Sequence, residues 1–135
     1  QDGSNLLKKH LIIPTKKKLT PNQLSTGLFA WKVVKHTKSN AIVVAKNNKI
    51  ISISGGQTSR VDATKIAFEK TKIPKGCVVA SDAFFPFKDS IEKMAQYKIS
   101  AIIQPGGSIR DCEVVESCNK NKIAMAFTGF RVFKH

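Results

Sequence analysis

The apolar positions change period along the chain, and each change marks an element. In "LTPNQLSTGLFAWKVVKHTKS" the residues Leu24, Leu28, Trp31 and Val34 fall three or four apart, which is one face of a helix. Thr20 stands before that face as an N-cap, Pro21 takes the first helical position, and Gln23 completes a capping box. The runs "AIVVA" and "KIISIS" flank Asn47-Asn48 and predict a hairpin, since Asn tolerates the left-handed backbone of a two-residue turn. Gly55-Gly56 end the second run. Ser59 with Asp62 marks the next helix start, and Ile66 and Phe68 carry that helix to about Thr71. "CVVAS" is an unbroken apolar run, as expected of a strand covered on both faces. A helix starting near Lys88 places Ile91, Met94 and Ala95 on one side. "AIIQ" is a strand, and Pro105-Gly106-Gly107 turns the chain. Ser108 with Asp111 opens a helix bearing Val114, Val115 and Cys118, and "IAMAFT" is the last strand. Residues 1–19 show weak periodicity and are expected to form a weakly structured extension, with one short edge strand before Pro14.

This order predicts an α/β domain in three layers, over residues 20–135, with a mixed sheet of about five strands. The early hairpin is antiparallel. The later strand–helix–strand crossovers are expected to be parallel and right-handed.

In such sheets ligands gather at the carboxyl ends of the strands. Three strand exits carry distinctive residues: "SGGQTSR", "SDAFFPFKD" and "QPGGSIRD". Each leads into a helix, so each is expected to offer free backbone N–H groups and a positive dipole end at one rim. The spacing fits neither a Walker loop nor a dinucleotide fingerprint, and a glycine pair is more often a simple tight turn. Phe84, Phe85 and Phe87 follow a buried strand directly. There they either wall a cleft for a flat ring or belong to the core, with the core favoured for Phe85 and Phe87. Asp89 either accepts ring N–H donors or caps the helix that follows.

Charge changes the picture only in part. The 135 residues carry a net charge of +14. Twenty of the 23 basic residues are Lys, scattered through every segment, which describes a solvated surface better than a nucleic-acid stripe. Arginine is scarce and therefore informative. Arg60, Arg110 and Arg131 suit bidentate contacts to carboxylate or phosphate, or else structural pairs with Asp62, Asp111 or Glu113. Cys77, Cys112 and Cys118 contain no Cys-x-x-Cys pair and are expected to be reduced, mostly buried thiols of a cytoplasmic protein. The zinc-deaminase ligand pattern is absent, so no zinc is expected. No run approaches the ~18 apolar residues of a membrane span. The first residue is Gln, so a processed or partial chain is expected. Neither a membrane nor a nucleic-acid partner is expected.

The motifs "AWKVVKHTKSNAIVVAKN", "GGQTSRVDA", "ASDAFFPFKDSI", "QPGGSIRD" and "FTGFRVFKH" together resemble the bifunctional purine biosynthesis family, which joins AICAR transformylase to IMP cyclohydrolase. They follow the family's order from about residue 28 to the end. The resemblance implies the second of two transformylase subdomains with a cytidine deaminase-like fold and no zinc. It implies formyl transfer from 10-formyltetrahydrofolate to the amine of AICAR. By matching motifs, Asn40, Phe84 and Arg131 would bind AICAR. Arg60, Val61, Asp89, Ser108 and Ile109 would contact the folate, with His135 near the site. Val34, Thr37, Ser39 and Asp82 would surround a structural potassium ion. The implied partners are the rest of the transformylase, the cyclohydrolase domain and a second copy in a homodimer. The family's catalytic Lys-His lies in the first subdomain, before a turn containing Pro and Gly. Lys35-His36 is followed by Thr-Lys-Ser-Asn instead, so no catalytic residue is assigned to this chain and His36 is not taken as the base. The competing reading is a non-catalytic module that binds a nucleotide or a sister subunit. Arg110 has no role carried over.

Overall fold

The computed structural model describes residues 11–85 and 88–129, and of Arg60 the backbone only. Helix α1 spans Pro21–Lys35. Its capping box forms as expected: Gln23 N–H donates to Thr20 Oγ1 at 3.1 Å, and Thr20 N–H donates to Gln23 Oε1 at 2.9 Å. Strands β1 (Ile42–Lys46) and β2 (Lys49–Ser54) form the hairpin, with Asn47 and Asn48 both at positive φ. Then come α2 (Arg60–Glu69), β3 (Val78–Ser81), α3 (Lys88–Ala95), β4 (Ala101–Gln104), α4 (Asp111–Lys120) and β5 (Ala124–Phe127).

The five strands make one mixed sheet in the order β2-β1-β3-β4-β5. Strand β1 is antiparallel to both neighbours, while β3, β4 and β5 run parallel. Strands β2 to β5 therefore all point one way, and their carboxyl ends share a rim with the start of β1. Helix α1 covers one face, where Leu28, Trp31 and Val34 pack on Val43, Ala80 and Ile103. Helices α2, α3 and α4 cover the other, over Ile42, Val44, Val79, Ile102 and Met125. β3 and β4 are buried at every position, which explains why "CVVAS" and "AIIQ" show no alternation.

The open edge of β5 is met by the N-terminal segment. Ile12, two residues before Pro14, bridges Phe127 through hydrogen bonds of 3.0 and 2.7 Å. Thr15 Oγ1 accepts from Met125 N–H at 3.0 Å and donates to the Lys17 carbonyl. Such cover removes a row of unpaired edge groups.

Two details differ from the sequence reading. The last helix starts at Asp111, not Ser108, with Arg110 at its N-cap and no side-chain cap. Asp111 turns back instead, and its carboxylate accepts from Gly107 N–H at 2.8 Å and Ser108 N–H at 3.2 Å. Ile66 points outward on α2, where Ala63, Ala67 and Phe68 make the buried face. The cysteines agree with the reading of mostly buried thiols: Cys77 and Cys118 are buried, and Cys112, in the first turn of α4, is exposed.

Candidate substrate-binding rim

The rim collects every exit named from the sequence. The first turns of α2, α3 and α4 begin there, and α1 ends there. Four sets of hydrogen bonds stitch the exits together in the order of the strands.

The turn before β1 is tied to the exit of β2. Asn40 donates to the Gln57 carbonyl through its backbone N–H at 3.1 Å and its Nδ2 at 3.0 Å, and Gln57 N–H returns a bond to the Asn40 carbonyl at 3.4 Å. Gly56 N–H donates to the Lys38 carbonyl at 2.6 Å. Gly55 must be glycine for this approach, since a Cβ there would overlap Thr37 Cγ2.

The same turn is tied to the exit of β3. Asp82, only 5% exposed, accepts from Ser39 Oγ and from Ala41 N–H at 3.2 Å. The exit of β3 is tied to β4, where the wholly buried Gln104 accepts from Phe85 N–H at 3.2 Å through Oε1. Finally Thr128 N–H and Gly129 N–H donate to the carbonyls of Gln104 and Pro105, at 2.9 and 3.1 Å. A cross-link one layer out joins α3 to α4: Lys88 N–H donates to Glu113 at 3.2 Å, and Arg110 pairs with the same carboxylate at 3.2 Å. The Lys88 bond, aided by Arg110, holds the Glu113 carboxyl below its usual range.

The predicted residues divide as follows. Asn40, Val61, Phe84, Asp89, Ser108 and Ile109 all stand on this rim, and the helix start at Arg60 places its backbone there too. Asn40 precedes β1 and Ser108 follows β4, strands separated in the sheet by β3 alone. Of the phenylalanines, Phe85 is core and fully buried, while Phe84 keeps 39% of its surface exposed. Val61, Phe84 and Ile109 supply three of the five large apolar residues exposed among the described residues. Arg131, His135 and Phe87, and the side chain of Arg60, lie outside the described residues. Asp89 occupies the first turn of α3. Arg110 takes the structural alternative, paired with Glu113. The expectation of free N–H groups at "GGSI" fails for Gly107 and Ser108, since Asp111 takes both.

Val34, Thr37, Ser39 and Asp82 meet where α1 ends. Thr37 Oγ1 donates to the Val33 carbonyl at 2.8 Å, Thr37 N–H donates to the Val34 carbonyl at 3.1 Å, and Ser39 bonds Asp82. These are hard oxygen donors beside the negative end of a helix dipole, so their chemistry fits an alkali cation. Among the described residues no three His, Cys, Asp or Glu side chains cluster as they would for zinc. Also among the described residues, no helix is long and apolar enough to cross a membrane. Lys35 and His36 are both exposed, with His36 at the C-cap of α1.

Sequence reasoning missed Gln57, Gln104 and the true role of Asp111. For Gln104 a signal existed: it is the polar residue that closes the apolar run "AIIQ".

Residues 1–70 match the family model described as the AICARFT/IMPCHase bienzyme. The chain belongs to this family. It is similar to the bifunctional purine biosynthesis protein PurH of Aquifex aeolicus, with 55% identity over 139 residues that take in 100% of this chain and 28% of that protein. The PurH of Persephonella marina is 50% identical over 100% of this chain and 27% of its own length. That of Petrotoga mobilis is 60% identical over 80% of this chain and 21% of its own length. The chain thus spans between about a fifth and somewhat over a quarter of the length of the curated relatives it matches.

Proposed function

We propose that this chain supplies a substrate-binding rim of a folate-dependent formyltransferase of purine biosynthesis, the AICAR transformylase of its family. It acts as the second transformylase subdomain, with a cytidine deaminase-like fold that uses no zinc, in a cytoplasmic homodimeric enzyme that also carries the cyclohydrolase. The observation that carries this reading is the convergence of Asn40, Phe84, Ser108 and the start of α2 on one stitched rim.

The chemistry assigns a part to each. AICAR brings a phosphate and a flat imidazole; the folate brings a flat ring and carboxylates. Phe84 offers an exposed ring face for stacking. Asn40 has its carboxamide oriented by Gln57 before any ligand arrives, so its polar atoms are preorganised. The dipoles of α2, α3 and α4 favour negative groups at this rim, and the overall charge of +14 draws polyanions toward it. Arg131 and Arg60 would hold phosphate and carboxylate through forked contacts. Val61, Ile109 and Ser108 would border the folate, and Asp89 would accept from its ring N–H groups. A potassium ion held by Val34, Thr37, Ser39 and Asp82 would brace the turn that carries Asn40. The proton leaving the AICAR amine goes to a base outside this chain. The test is Arg131→Ala in the full-length polypeptide carrying these residues. The formyl-transfer kcat/KM should fall about 100-fold, the worth of a charged hydrogen-bonded contact. A near-normal value would overturn the site.

A further inference from the structure

We propose that Gln104 is a positioning residue that sets Phe84 on the substrate rim. This rests on the reading of Phe84 as a ring wall. Gln104 ends β4 and has no exposed surface, yet it carries a polar carboxamide into an apolar layer. Burying such a group costs stability unless its hydrogen bonds are made. Both of its ends are engaged: Oε1 accepts from Phe85 N–H at 3.2 Å, and Nε2 donates to Met125 Sδ at 3.3 Å. The reverse orientation would set an N–H against the Phe85 N–H, so the backbone fixes which way the amide faces.

The bond falls at the point where the chain has left β3 and has not yet entered α3. There it takes the place of a strand ladder, holding a loop amide to the neighbouring strand. With its N–H anchored, Phe85 buries its ring fully in the core on the side covered by α2, α3 and α4. Phe84, one residue earlier, is left facing outward with 39% of its surface open. Without the anchor, nothing in β4 would decide which of the two rings goes in. Gln104 touches no substrate in this scheme; it acts through the Phe85 backbone.

The experiment compares Gln104→Met, Phe84→Ala and the control Ile102→Val in the full-length polypeptide. Gln104→Met keeps the length and removes the acceptor. We expect it to raise the KM for AICAR about tenfold, the worth of one hydrogen bond. The folate KM should change less than twofold. Ile102→Val also lowers stability and should leave both KM values near wild type. If Phe84→Ala leaves the AICAR KM unchanged, the reading of Phe84 itself fails. If Phe84→Ala raises it and Gln104→Met does not, this inference alone is overturned. Should Gln104→Met not fold, amide exchange in the unaltered protein decides: Phe85 N–H should be protected, and exchange at the rate of a free amide would overturn the proposal.

Discussion

Ala41 and Asp82 bond each other twice: Ala41 N–H donates to Asp82 Oδ1 at 3.2 Å, and Asp82 N–H donates to the Ala41 carbonyl at 3.4 Å. Ser39 adds its hydroxyl to the same carboxylate. One side chain thus closes the junction between the start of β1 and the end of β3, under the turn that presents Asn40. Asp82→Ala would leave the buried Ala41 N–H without its acceptor and take away the partner of the Ser39 hydroxyl. A loss of about 2–3 kcal/mol is expected in urea unfolding. A loss below about 0.5 kcal/mol would show that the junction does not depend on the carboxylate.

Helix α1 lies so close to β4 that a Cβ on Gly27 would overlap Ile103 Cδ1. In a free helix Gly27→Ala would gain about 1 kcal/mol. Here overpacking of about 1–3 kcal/mol opposes that gain, so the single variant should be less stable than wild type. Ile103→Val removes the overlapping carbon and costs about 0.5–1.5 kcal/mol alone. The double variant should be more stable than the sum of the singles predicts, by about 1 kcal/mol in a double-mutant cycle.

The N-terminal cover of β5 depends on Thr15, which is 1% exposed. Thr15→Val keeps the shape and removes the acceptor for Met125 N–H. A loss of about 1–3 kcal/mol should follow, together with faster amide exchange at Met125. Unchanged exchange at Met125 would mean that the segment does not seal the edge.

Burial pushes the Cys118 thiol up to about 12, from an ordinary value near 9. The unfolded chain releases this proton near pH 9 and the folded chain keeps it to about 12. Over that window the unfolded state binds fewer protons, so stability is whole below pH 9 and falls as pH rises. The slope is at most ~1.4 kcal/mol per pH unit for one group. Cys77 is shifted the same way by burial, against an opposing pull from Lys46. Cys118→Ala should flatten the decline in denaturation midpoint between pH 8.5 and 10.5 relative to wild type. An unchanged slope would mean that Cys118 does not contribute.

Local chemistry made much of the fold legible. The Thr20–Gln23 box, the Asn47-Asn48 turn and the unbroken runs of β3 and β4 each follow from neighbours a few residues apart, and each formed as read. The last helix start misled because Ser108 and Asp111 have capping spacing. The glycine pair before them allowed the Asp111 carboxylate to turn back onto Gly107 and Ser108 instead.

What the sequence determined by itself is the order of elements and the family, since these depend on periodicity and on motifs written along the chain. What the tertiary structure decided is which side chains hold the rim together. The links Asn40–Gln57, Ala41–Asp82 and Phe85–Gln104 join positions 17, 41 and 19 residues apart. No local pattern encodes them, because hydrogen bonding between strand exits depends on the order in which the strands lie side by side, and that order is set by packing of the whole sheet between its helical layers.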